Sequence, residues 1–404
     1  MKHGQLIAAL LVLSAGEGRA ADVSVYATTL IGGRPDVVDG EVKTVVPLYE
    51  LVGARARNLE VKGFDELGVV VDAWAGVTVS GTSVGASDLN LAFVEARALK
   101  RKLKMRLGRQ FVTGGVARAM FFDGLLADYR TAMGVGLSAF AGIPVERRFA
   151  NFLRGDFVVG SRAYFAPTYG TEVGVSFIHM LQRGALARQD AGLDARWQLL
   201  NSLMLAGALS WNLAEAQLSE VDVGPRWTPT ANVEVVLNYR RTAPELFLPR
   251  TSIFTVFADT TRDDAGVNVT WQLFEAVSLF ADVRALWLNG EKGFEASGRV
   301  VLRPSRATHL TAQVHRLEIP SNGYHQARIG ARHVLPSGLG LAVDLETYVL
   351  DRPVRGQTVS FSASTSATYA FTPSWQVGAA LFASTTPSFV SRYEAIARLS
   401  WVFL

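Results

Sequence analysis

The sequence predicts an all-β protein, a transmembrane antiparallel β-barrel of about 18 to 22 strands with no separate plug domain. Three observations carry that reading. In the last stretch, SRYEAIARLSWVFL, Tyr393, Ala395, Ala397, Leu399, Trp401 and Phe403 fall on one side of an extended strand. Arg392, Glu394, Arg398 and Ser400 fall on the other, because successive side chains of a strand point to opposite faces. Next, 49% of the residues are hydrophobic and the mean hydropathy is +0.20, yet past the N-terminal leader no apolar run is long enough for a spanning helix. Finally, tight Pro-, Ser- and Gly-containing breaks alternate with longer connections along the chain.

Composition excludes several classes. Cysteine is absent, which removes disulfide scaffolds and thiolate metal sites and suits a cell-envelope protein. A net charge of +4, spread along 404 residues, gives no basic patch for nucleic acid. No cofactor and no metal are expected.

The chain begins with a polar Lys2-His3, an apolar Leu6 to Leu13 and small residues at Gly18-Arg19-Ala20. That order is the pattern of a secretory signal peptide over residues 1–20, leaving 21–404 as the barrel, in the bacterial outer membrane. Faint alternation at 23–31 and 45–57 is followed by strands near 66–79, 88–98, 103–112, 121–131, 134–144, 156–167, 171–182, 190–200, 203–213, 216–227 and 231–242. The faces of 88–98 and 121–131 are ambiguous. The second half is cleaner. In 264–274, Val267, Val269, Trp271 and Leu273 oppose Asn268, Thr270 and Gln272. In 277–288, Val283, Ala285 and Trp287 oppose Asp282 and Arg284. The pattern recurs at 292–303, 308–317, 323–335 and 339–350. It is clearest at 357–371, where Val359, Phe361, Tyr369 and Phe371 back a face of serines and threonines suited to a wet lumen. Residues 375–386 and the closing stretch complete the series.

Thr372-Pro373-Ser374, Pro336-Ser337-Gly338, Pro304-Ser305-Arg306, Thr228-Pro229-Thr230 and Asn201-Ser202 read as tight turns. Between them lie longer connections at 111–120, 145–155, 183–190 and 243–260. Short periplasmic and long outer connections are the barrel arrangement. Residues 243–260, with Leu246, Phe247, Leu248, Ile253, Phe254, Val256 and Phe257, are too apolar to lie in water. They are the leading candidate for a loop that narrows the lumen. Arg147, Arg148 and Arg154 form a second, basic loop at the mouth.

Inward faces supply Lys104, Arg106, Arg130, Arg162, Arg196, Arg240, Arg284, Arg299, Arg328, Arg332 and Arg398. A basic path attracts anions. Equally, such charges pair across strands with Asp72, Glu172, Asp194, Asp282 or Glu295 and stiffen the wall.

The stretch from Met105, MRLGRQFVTGGVARAMFFDGLLADYR, resembles the alginate-export family of outer-membrane barrels and related large porins. The matching positions are Arg106, Gly108, Arg109, Gln110, Arg118, Phe122, Asp123 and Gly124. The resemblance implies an electropositive, loop-gated lumen passing an anionic polysaccharide to the surface, with Arg109, Arg118 and Asp123 on the path. Its implied partners are outer-membrane lipid, the barrel-assembly machinery and periplasmic polysaccharide-export components. The chain's overall style also looks like barrels that serve polysaccharide secretion in gliding soil bacteria. The alternative is a general porin for small hydrophilic solutes; a third reading is a sealed structural barrel. Enzymatic chemistry is not expected. His309 and His315 share an inward face near Ser297, but no spacing fixes a nucleophile, base and orienting group together.

Overall fold

Each strand pairs with its neighbours in the chain, and the last closes on the first. The computed structural model describes residues 22–38, 41–78, 85–117, 119–145, 156–246, 261–288, 290–386 and 389–403. Its extended segments make one continuous sheet. Glu41–Val45 and Pro47–Leu59 are two parts of one strand, interrupted at Val46 and both paired with Asp22–Val38. The result is a closed barrel of 22 antiparallel strands. Closure runs from Val25 opposite Phe403 to Gly33 opposite Ala395. The two fainter patterns at the start of the chain are therefore full wall strands, and the first of them is the seam partner of the last.

Closure removes every free strand edge, and in lipid all backbone polar groups must find partners within the wall. The outer face is apolar. Leu107 and Val314 are each 63% exposed, and Leu125, Leu137, Val175, Leu193, Val283 and Ile329 are exposed beside them. Aromatics gather at both ends of this apolar band. Trp197, Trp227, Trp271, Trp375, Trp401 and Phe403 lie near the short turns, with the Trp375 and Trp401 rings 6.0 Å apart across the last strand pair. Trp211, Tyr239, Phe294 and Tyr393 lie toward the opposite end. Two aromatic girdles around an apolar band are what a bilayer selects. The protein is a bacterial outer-membrane barrel.

The connections differ from expectation in one respect. Residues 183–190 are not a long loop: Arg183 and Gly184 make a tight hairpin at φ 53° and 78°, and Ala185–Leu200 continues as strand. Arg355 and Gly356 repeat the device at φ 51° and 81°. Both central residues sit in the left-handed region, as the twist of a two-residue hairpin requires. Residues 113–117 and 243–246 leave the sheet at this end, each with a short 3-10 turn, at Gly115–Ala117 and Pro244–Leu246. The predicted leader 1–20, Arg118, residues 146–154 of the predicted basic loop and residues 247–260 of the predicted narrowing loop lie outside the described residues.

Candidate functional site: the lumen wall

The wall is polar around most of its inner face, but one sector departs from the expected pattern. Phe122, Phe140, Val158, Ile178 and Met180 point inward from adjacent strands, and Val112 and Leu126 join them in a buried apolar cluster. Phe122, Val158 and Ile178 have no accessible surface. Part of the cover is the connection between Leu103–Val112 and Met120–Arg130, which turns inward as a short 3-10 segment at Gly115–Ala117. Val116 and Ala117 complete the cluster. The segment is tied to the wall at both backbone poles. Val116 N donates to Ser176 Oγ at 3.0 Å, and Arg188 Nη2 donates to Val116 O at 2.5 Å. Arg188 also donates from Nε to the fully buried Asp190 at 2.6 Å. Gly115 has φ +52°, and a Cβ there would collide with Ser176. So an inner-wall loop is present, on a shorter connection than the one favoured from sequence.

Glycines shape the same sector. Gly108 faces Gly124, and Gly124 faces Gly142, across three adjacent strands. A Cβ on Gly124 or Gly142 would strike the backbone of the facing strand. Gly108 adds φ +121°. Gln110 has no accessible surface and donates Nε2 to Gly124 O at 2.9 Å. Small residues thus let the backbones approach where the wall bends.

Elsewhere the inner face is a set of ion pairs. Arg106 donates to Glu95 at 2.6 Å. Arg162 is held between Glu172 and Asp194. Arg240 pairs with Asp222 at 3.1 Å, Arg284 with Asp282 at 2.7 Å and Arg328 with Asp344 at 2.9 Å. These five predicted residues are therefore wall-stiffening partners as well as lumen charges.

A second group of predicted residues makes no ion pair among the described residues. Lys104, Arg196 and Arg332 belong to it, although Asp128 stands opposite Lys104 and Glu172 opposite Arg196 in register. Glu172 turns instead to Arg162. The Arg299 guanidinium lies 4.2 Å from the centre of the Phe280 ring, and Arg398 donates to Gln376 at 2.9 Å.

Arg109 and Asp123 call for a correction. They face each other in register, and Arg109 Nε donates to Asp123 at 2.8 Å while Nη1 reaches Asp88 at 3.0 Å. Strand alternation puts them on the side of Leu107 and Leu125, opposite from Arg106. They belong to a rim of outward-side charges near the long-loop end, with Arg241–Asp263 and Arg316–Asp351. Charge on the lipid side costs little near the interface, and pairing reduces it further.

His315 stands opposite Ser297, but both of its ring nitrogens are engaged, by Gln326 at 3.2 Å and Glu295 at 3.1 Å. No group of acidic, His or Cys side chains among the described residues has the arrangement of a metal site.

No family model matches the chain, and no curated protein matches it. Among solved structures it is similar to the translocation pore of the P pilus usher PapC. The TM-score is 0.51 at 8% identity, covering 94% of this chain and 99% of that one. It is also similar to Pseudomonas aeruginosa OccD3 (OpdP), with TM-score 0.47, 11% identity and coverage of 96% and 92%. Acinetobacter baumannii OccAB3 gives 0.47, 11%, 95% and 99%. At these identities the likeness concerns the fold, a large outer-membrane β-barrel.

Proposed function

We propose that this barrel is a passive outer-membrane channel for small hydrophilic solutes. The carrying observation is the two-sided wall: lipid-facing apolar residues outside, and charged and hydroxyl side chains lining most of the inside of a closed 22-strand barrel. A barrel of this size encloses more space than side chains fill, and a polar inner wall keeps that space wet. Among the described residues no separate domain occupies it.

Polymer export, the reading implied by the resemblance near Arg109, loses its main support. Arg109 and Asp123 stand on the outward side of their strands. A non-catalytic role agrees with the full engagement of His315. Swelling of proteoliposomes in isosmotic sugars of graded size tests the reading: small sugars enter and large polymers do not.

A further inference from the structure

Charge is sorted along the axis of the lumen. The lumen cations that make no ion pair among the described residues sit in the half of each strand nearest the short turns. Arg55 precedes the end of Pro47–Leu59, and Lys104 follows the start of Leu103–Val112. Arg196 lies in the turn-side half of Ala185–Leu200, and Arg299 in that of Glu291–Ser305. Arg332 lies near the end of Tyr324–Val334, and Arg398 in the turn-side half of Phe389–Phe403. These strands are distributed around the barrel.

Most carboxylates in the same half are already neutralised. Glu66 pairs with Arg97 at 3.4 Å, Glu95 with Arg106 at 2.6 Å and Glu172 with Arg162 at 2.5 Å. Asp128, and Asp72 and Glu346 near mid-wall, make hydrogen bonds but no ion pair among the described residues, and are fewer than the six cations. In the loop-side half, Asp190, Asp222, Asp264, Glu295 and Glu394 face inward beside their own arginines. A positive surplus therefore remains at the short-turn mouth.

We propose that this mouth is an anion-collecting ring. It draws in small multivalent anions (polycarboxylates or phosphates) from the periplasmic side and makes the pore anion-selective and electrically asymmetric. The proposal rests on the channel reading above. Uncompensated like charges lining a low-dielectric opening concentrate counter-ions there, whereas locally paired charges largely cancel at that range.

The test uses the full-length protein in planar bilayers under a KCl gradient. The expected reversal potential corresponds to a chloride preference of about threefold or more. Replacing Arg55, Lys104, Arg196, Arg299, Arg332 and Arg398 with Gln abolishes the preference. The charge-neutral pair Arg240→Gln with Asp222→Asn leaves it in place. A second measurement needs no ring variant: pyrophosphate reduces the current at about tenfold lower concentration from the short-turn side than from the loop side. The chain has no native cysteine, so a biotinylated Arg355→Cys at the loop end identifies the sides by streptavidin addition. A conducting barrel with no anion preference, or with symmetric pyrophosphate block, overturns the ring alone. A barrel that carries no current overturns the channel reading and the ring with it.

Discussion

At the scale of single residues, the fate of each arginine follows from its cross-strand neighbours. Arg109 illustrates this. Its sequence context places it in a motif with Arg106, but one step along a strand reverses the face. The side chain is 13% exposed and held by Asp123 and Asp88. Arg109→Gln should therefore leave ion selectivity unchanged. It should slow assembly or lower the unfolding midpoint, by about 1–3 kcal/mol for loss of one charged hydrogen-bonded partner. Reversal potential and heat-modifiable gel mobility read the two effects separately. A selectivity change without a stability change would move Arg109 back to the pore. The same logic separates Arg162 from Arg196. Both belong to the inner face in the sequence, but only the folded register shows Glu172 turning from one to the other.

At the scale of elements, strands were legible wherever the two faces differ in polarity. Gln357–Thr372 shows serine and threonine alternating with Val359 and Phe361, so its period of two is plain. Met120–Arg130 carries Phe121-Phe122 and Leu125-Leu126, one of each pair inward. With both faces apolar the period disappears, and the reason is the inward Gly115–Ala117 segment that the inner side chains pack against. Two variants on Thr308–Glu318 test the face assignment. Val314→Arg places a charge on the lipid side and should cost about 2–4 kcal/mol near the middle of the wall. The adjacent Gln313→Glu points inward between Arg299 and Arg328 and should leave the unfolding midpoint unchanged or raised. Equal losses at both positions would contradict the alternation. Val116→Asp tests the inner loop. Its carboxylate would be buried among Phe122, Val158 and Ile178, beside an Arg188 already committed to Asp190. It should expel the segment, raising single-channel conductance while the barrel still assembles. Unchanged conductance would show that the segment does not narrow the path.

At the scale of the molecule, the closed sheet and the lipid-facing band were readable from periodicity, whereas the aromatic girdles emerge only from the register of the strands. The strand count was bounded but not settled. The seam required a structure, because pairing the first strand with the last brings residues such as Val25 and Phe403 together across nearly the whole chain. The function was less legible than the fold: sequence supplies the lumen's charges, but their pairing and their position along the axis decide what the pore attracts. On the proposed reading, a water-filled path for small solutes runs through this barrel. Liposomes carrying the purified protein and entrapping an impermeant dextran test it directly. On dilution into isosmotic mono- and disaccharides they should swell, at rates falling steeply with solute size, and in isosmotic high-molecular-weight dextran they should not. No swelling in any solute, or entry of long polysaccharide at a rate comparable to that of a monosaccharide, would contradict it.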